Sequence, residues 1–197
     1  MIRRLPLLPT VLVAAAVATM IGLGIWQLQR AAWKEGLLAT YRTAQGQPGI
    51  AFPTFPTKNE PPYFRKATGH CLDIVGWRSV AGQNLKGESG YARIADCRTG
   101  AEGPGMVVVA GWSKDPNAAS SWKGGIVEGV IGPDQLNRLR LVSTTGLGGL
   151  EASAPPSLES IPNNHRAYAV QWFLFAAIAL VIYVLALRKQ WAKEPAQ

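Results

Sequence analysis

The strongest pattern in the chain is two long apolar runs, one near each end, with a polar segment between them. Residues 5–28 and residues 167–187 carry no formal charge. Each run meets the length of about 20 residues that an α-helix needs to cross the hydrocarbon core of a membrane. The pattern predicts two transmembrane helices, at residues 10–29 and 167–187, with one folded domain between them.

A cleaved secretory signal is the alternative interpretation of the first run. Arg3 and Arg4, followed by the alanines at 14–16, loosely fit its basic start and small-residue cleavage site. However, the run is longer than a typical signal core, and it ends in Trp26, which suits a membrane interface. The sequence therefore favours an uncleaved helix.

Small residues recur at every fourth position of the first run, at Ala14, Ala18 and Gly22. This spacing lets a second helix approach closely in a membrane. It predicts a helix pair within the chain that uses this stripe; the alternative is that Ala and Gly are simply common in membrane helices.

The start of the second helix carries a histidine beside aromatic residues. Pro162 cannot lie inside a helix and the asparagines after it can cap one, so the helix is predicted to begin here. His165 then lies in the first turn and shares one face with Tyr168 and Trp172. This imidazole either ligates a metal or a haem iron, or is only an interfacial side chain.

A basic and aromatic collar follows the first apolar run. Arg30 and Lys34, together with Trp26, lie where the helix is predicted to leave the membrane. The collar suits either lipid head groups or the carboxylates of a ligand such as haem.

The pattern in the middle of the chain predicts a β-rich domain. Residues 31–45 extend the first helix, and short β-branched runs separated by Gly and Pro turns then predict strands. A single helical turn is predicted at 133–140. The predicted strands, which we expect to form a small antiparallel sheet, are residues 64–77 with a break near Gly69, 91–97, 106–112 and 126–131.

Two cysteines, Cys71 and Cys97, fall on predicted strands. Antiparallel neighbours would bring them within bonding distance, and an even cysteine count outside the cytoplasm favours a disulfide. Two unpaired thiols, or copper or redox chemistry that involves the neighbouring His70, are the alternatives.

Charge and motifs exclude several classes of function. The net charge is +8, but the basic residues flank the apolar runs or are scattered among acids, so nucleic-acid binding is not predicted. Phosphate loops, nucleophile elbows and paired metal-binding histidines are missing from the sequence, and no enzyme is predicted.

Basic residues at both ends place both termini in the cytoplasm. The predicted fold class is an α+β membrane protein with two transmembrane helices that flank an antiparallel β-rich domain. The predicted segments are the cytoplasmic N-terminus with the helix start (1–9), the first transmembrane helix (10–29), the periplasmic domain (30–166), the second transmembrane helix (167–187) and a cytoplasmic tail (188–197).

The ends of the two helices resemble the Surf1 family of cytochrome c oxidase assembly factors. Residues 24–34 match that family's Gly-x-Trp-Gln-x-x-Arg-x-x-x-Lys pattern, and residues 164–173 match its Asn-His-x-x-Tyr-Ala-x-x-Trp-Phe pattern. Residues 90–94 and 107–112 look like its central Gly-Tyr and Gly-Trp strands. The chain departs from the family in having Val109-Ala110 where Asn-Arg is usual, and Arg166 where Leu is usual.

The resemblance implies a non-catalytic role in building haem–copper oxidase in the bacterial inner membrane. The chain would help to deliver haem a, bound transiently, to oxidase subunit I, with haem a synthase as a further partner. The alternative is a scaffold or accessory subunit that holds oxidase subunits and binds no cofactor.

The resemblance also implies roles for the collar and the histidine. His165 is the implied axial ligand of the haem iron, and Trp172 and Tyr168 would line the haem. Arg30 and Lys34 would pair with its propionates, and Trp26 would pack on the ring edge.

Overall fold

The computed structural model describes residues 6–55, 61–102 and 105–193. Arg3 and Arg4 lie outside the described residues, as do the last four residues of the predicted tail. The chain divides into two compact units, of which one holds residues 1–37 and 162–197 and the other is Leu38–Ile161. The membrane boundaries given above stay predictions.

Two long helices form the first unit. Helix α1 is Leu7–Gln45 and helix α2 is His165–Lys193, and in the described part of the chain these two are long and apolar enough to cross a membrane. The amide of Tyr168 donates to the carbonyl of Asn164 at 3.1 Å, so Asn164 occupies the N-cap position. The predicted start of the second helix and the extension of the first through residue 45 are confirmed.

The two helices pair in antiparallel orientation. The hydroxyls of Thr10 and Tyr183 hydrogen-bond near the start of α1. Further along α1, Gln27 contacts His165 at the start of α2. Both contacts link polar side chains across an apolar helix pair, where an unpaired polar group would be costly.

Small buried residues line the seam between the helices. On α1 they recur every seven residues, at Val17, Gly24 and Ala31. On α2, Ala169 is 0% exposed and Ala176 is buried seven residues later. A seven-residue repeat is typical of helices that pack side by side along one face.

The predicted stripe of small residues is not part of this seam. Ala14, Ala18 and Gly22 are exposed, and a Cβ added at Gly22 would have no atom within 4 Å. The prediction that this stripe holds the pair together is therefore wrong. Spacing alone could not distinguish it from the seam, because both lie on the same apolar helix.

The second unit contains a seven-stranded mixed sheet. In the described residues its spatial order is β1-β2-β6-β7-β5-β4-β3, in which β1 with β2 and β5 with β7 run parallel and the other pairs are antiparallel. The strands are β1 Ile50–Ala51, β2 Lys66–Cys71, β3 Asp73–Gln83, β4 Ser89–Arg98, β5 Met106–Ser113, β6 Gly125–Asp134 and β7 Arg138–Ser143.

The expected antiparallel sheet is corrected to a mixed one. Strand β7 forms a hairpin with β6 and inserts beside β5, which it meets in parallel orientation. The helical turn predicted at 133–140 is wrong, since these residues end β6, turn and begin β7. The predicted strand break near Gly69 lies instead at Leu72, between β2 and β3.

The sheet has apolar residues on both faces. Its interior strand β5 is buried along almost its whole length, as its run of Val residues predicts. The larger cluster includes Cys71, Val108, Ile131 and Leu141, and the smaller one on the other face consists of Ala92, Ile94, Val107, Val109 and Val142.

The sheet curls until strands that are distant in its order come into contact. Cys71 of β2 and Cys97 of β4 form a disulfide, with a Cα–Cα distance of 5.3 Å, although three strands separate β2 from β4. Arg78 of β3 donates from Nη2 to Oδ1 of Asp134, at the end of β6, at 2.8 Å. In a flat sheet β3 and β6 would lie roughly 19 Å apart.

The carboxylate of Asp134 is buried at this contact, with 2% of its side chain exposed. Burial alone would raise its pKa, but hydrogen bonds from Arg78 and from the amides of Asn137 and Leu136 hold the pKa below its ordinary value. The ionised form therefore stabilises the folded state at neutral pH. This contribution is present above the unfolded pKa of 3.8 and is lost as the pH falls through the lower, folded pKa.

We expect Asp134→Asn to lower the free energy of unfolding by about 1–2 kcal/mol at pH 7, because a neutral amide forms no ion pair with the Arg78 guanidinium. The difference from the wild type should shrink as the pH falls below 3.8 and through the lower pKa of the folded state, where the wild-type carboxylate becomes protonated. Urea unfolding of the full chain in detergent, followed by tryptophan fluorescence, measures it. Asp73→Asn, in an exposed pair with Arg98, is the control. An equal loss at every pH would contradict the assignment.

We expect Gly24→Val to destabilise the helix pair, because a Cβ at Gly24 would lie 2.6 Å from Cε1 of Phe173. Such overpacking costs about 1–3 kcal/mol. Gly22→Val is the matched control, since space is open there. The thermal unfolding midpoint in detergent should fall for Gly24→Val alone, and Phe173→Ala should restore it in that background. Equal effects of the two valines would show that Gly24 is not at the seam.

Candidate functional site

The candidate site is centred on His165, the first residue of α2. Its Nδ1 lies 2.7 Å from Oε1 of Gln27 on α1. With the amide oxygen as acceptor, the Nδ1–H of His165 donates, and the lone pair of the neutral ring is then on Nε2. The imidazole is half-buried. Because Nδ1 is engaged with Gln27, Nε2 is the nitrogen that can take a ligand.

Two further polar contacts close the same end of the helix pair. Nζ of Lys34 donates to the carbonyl of Pro162 at 2.5 Å, just before α2 begins. Arg166 makes a two-pronged ion pair with Glu35, with Nε–Oε1 and Nη2–Oε2 both 3.0 Å. These contacts hold the first turn of α2 against α1 and restrict the position of His165.

The aromatic and basic collar is arranged along α1. The guanidinium of Arg30 stacks over the ring of Trp33, with Cζ 4.1 Å from the ring centroid. Trp26 is 53% exposed, and at helical spacing it lies about 100° round the helix from Gln27. Lys34 therefore reaches the start of α2. Arg30 lies against Trp33, and Trp26 lies on a different side of α1 from Gln27.

The aromatic residues of α2 follow His165 along one side of the helix. Trp172 is half-buried and its ring meets Phe175 edge-on, with 6.1 Å between centroids. Tyr168 is 51% exposed and lies towards the open side. His165 and Trp172 are thus on the edge of the helix seam, and Tyr168 is outside it.

The donor set limits the chemistry of this site. Among the described residues, no group of three or more His, Cys, Asp or Glu side chains could hold a metal ion. The site offers one neutral imidazole nitrogen. A single protein nitrogen suits an iron whose other ligands come from a porphyrin, rather than a bare ion that needs three or four side chains.

Sequence reasoning missed the role of Gln27. The residue is part of the Gly-x-Trp-Gln pattern, so its presence was visible, but its partner is 138 positions away in the chain. The signal that could have identified it is chemical, because an uncharged amide in an apolar helix needs a polar partner. His165 was the nearest candidate at the same predicted membrane depth.

The central Gly-Tyr and Gly-Trp patterns have a packing role in the sheet domain. A Cβ at Gly90 would lie 2.6 Å from the ring of Trp112, and one at Gly111 would lie 2.5 Å from the carbonyl oxygen of Glu151. Both glycines therefore allow a close approach that a larger residue would block. These patterns fix the architecture of the domain and do not carry the candidate chemistry.

Comparison with known proteins supports one family. No curated protein matches the chain at a significant level of similarity. The family model described as the SURF1 family matches residues 14–177, which include both helix-end patterns and the whole sheet domain. The family is known as one of membrane-anchored cytochrome oxidase assembly factors and is not catalytic. The chain belongs to the SURF1 family.

Proposed function

We propose that this chain assists the assembly of haem–copper cytochrome c oxidase by binding haem a and delivering it to subunit I. His165 is the proposed axial ligand of the haem iron. The observation that carries the proposal is the contact between Gln27 and Nδ1 of His165, which leaves Nε2 as the ligating nitrogen. Haem is cargo in this proposal, and the protein supplies the ligand and its orientation.

The hydrogen bond from His165 to Gln27 resembles the arrangement around other metal-bound histidines. A ligating imidazole usually donates its other N–H to a fixed acceptor, which sets the tautomer and the ring orientation. Here the acceptor is an uncharged amide, which polarises the ring less than a carboxylate would. This suits a carrier that must release its cargo.

The basic residues near His165 are the proposed partners of the haem propionates. Lys34 uses one of its three N–H donors on the carbonyl of Pro162, so two stay for a carboxylate. Stacking on Trp33 uses the face of the Arg30 guanidinium and leaves its edge N–H groups for an acceptor. Trp172 and Tyr168 are the proposed lining residues, and Trp26 the proposed contact at the ring edge.

The proposed location of the chain is the bacterial inner membrane. The apolar helices would cross the bacterial inner membrane, with both termini cytoplasmic and the sheet domain in the periplasm. A haem at the start of α2 would then keep its hydrocarbon tail in lipid and its propionates near water. Subunit I would receive the haem, and haem a synthase is the proposed source.

A scaffold that binds oxidase subunits without haem is the second candidate. Lys34 bonds to the carbonyl of Pro162, Arg166 pairs with Glu35, and His165 bonds to Gln27, so all three side chains already have partners within this chain. These contacts would stabilise a helix pair for subunit binding even if no haem were present.

The test is to purify the full chain in detergent, separated from oxidase, from cells that make haem a. The reduced absorption spectrum of the wild type should contain a haem a band that His165→Ala abolishes. His70→Ala is the matched control, because His70 is exposed on β2 of the other unit, and it should keep the band. Thermal unfolding of each variant checks that the helix pair persists.

A haem a band unchanged by His165→Ala would contradict the ligand assignment. Absence of haem from all three proteins, together with co-purification of the wild type with oxidase subunits, would favour the scaffold.

A further inference from the structure

A cleft of about 760 Å³ lies between strand β3 and the turn that joins β6 to β7. Two arginines, Arg78 of β3 and Arg140 of β7, form its cationic side. The remaining wall combines the apolar residues Val80, Ala81, Pro133 and Leu136 with the polar residues Ser79, Asp134 and Gln135.

Two nearby carboxylates, those of Asp134 and Asp96, both pair with Arg78. Oδ1 of Asp134 is 2.8 Å from Nη2 of Arg78, and Oδ1 of Asp96 is 3.8 Å from its Nε. Oδ2 of Asp134 accepts the amides of Leu136 and Asn137 at 3.2 and 2.9 Å. Both oxygens of Asp134 are therefore occupied without Arg140.

Arg140, the other cation of the cleft, takes no part in these hydrogen bonds and ion pairs. Its side chain is half-buried, and its Nε is shielded from solvent and has no hydrogen-bond partner among the described residues. Burial lowers the pKa of Arg140, while Asp134 raises it and Arg78 lowers it. A guanidinium remains charged in proteins, and the Nε–H of Arg140, like that of Arg78 in the same cleft, lacks an acceptor among the described residues.

The apolar wall indicates what kind of acceptor fits. Leu136, at the tip of the turn, is 74% exposed. It lines the same cleft as Arg140, so one ligand can meet both. That ligand would combine an anionic oxygen pair with a short apolar body.

We propose that this cleft binds a carboxylate attached to a short apolar group, with Arg140 holding the carboxylate and Leu136 covering the apolar part. The same chemistry is presented by a small organic acid and by the C-terminal residue of a polypeptide. The site lies in the sheet domain and is independent of the haem proposal.

The test uses the full chain in detergent, labelled with ¹⁵N-arginine, and follows the Nε–H resonances by NMR at constant ionic strength. Arg140→Gln assigns the Arg140 signal. Acetate, butyrate, butanol and inorganic phosphate are the probes. The Arg140 resonance should shift saturably with butyrate, at lower concentration than with acetate, and should not respond to butanol.

Two variants test the two sides of the cleft. Arg140→Gln, followed by the resonance of Arg78 in the same cleft, should weaken butyrate binding about tenfold or more, as expected for a lost hydrogen bond to a charged group. Arg98→Gln is the matched control, because Arg98 is 56% exposed and pairs only with exposed Asp73 among the described residues. Leu136→Ser should abolish the preference for butyrate over acetate.

A peptide arm separates the two sources. Tighter binding of an acetylated dipeptide ending in leucine than of its amidated form and of butyrate would indicate a polypeptide C-terminus, and tighter binding of butyrate would indicate a small acid. Equal, non-saturating shifts of all arginine signals would overturn the proposal and leave Arg140 as charge balance for Asp96 and Asp134. Equal or tighter binding of phosphate would overturn the ligand class.

Discussion

The close contact between the two helices is the constraint on which the candidate site depends. Gly24 lets the ring of Phe173 lie against the backbone of α1, at a distance that any Cβ would prevent. Near this contact, Gln27 and His165 come within hydrogen-bonding distance. Two chain segments that are far apart in sequence thus form one polar site at the end of an apolar pair. A larger residue at Gly24 would push the helices apart close to this hydrogen bond.

The departures of this chain from its family have local compensations. Arg166, where leucine is usual, has a two-pronged ion pair with Glu35 and so adds a link between the helices. Val109 and Ala110, where asparagine and arginine are usual, are buried in the interior strand β5. In this protein that strand is therefore apolar on both faces. Any partner contact made by the usual arginine has no equivalent there.

The sequence predicts the parts of the fold that depend on local pattern. The helices follow from uncharged runs, and most strands follow from β-branched residues between turns. It fails where a residue serves a distant neighbour. Gly69 looked like a strand break, but it lies inside β2. The side chain of Met106 occupies the space where its Cβ would be, which explains why a glycine fits there. Strand β7 was missed although Leu139 and Leu141 alternate with arginines, and the mixed topology was missed with it. The ligand candidate could be named from sequence, but its partner Gln27 required the pairing of the helices.

The central claim is that Gln27 fixes the tautomer and orientation of His165. The most direct measurement is ¹⁵N NMR of the full chain in detergent, labelled at its two histidines, at a pH where the imidazoles are neutral. His165 should carry its proton on Nδ1, and Gln27→Leu should move the proton towards Nε2 without affecting His70. A wild-type His165 protonated on Nε2, with a signal that Gln27→Leu leaves unchanged, would contradict it.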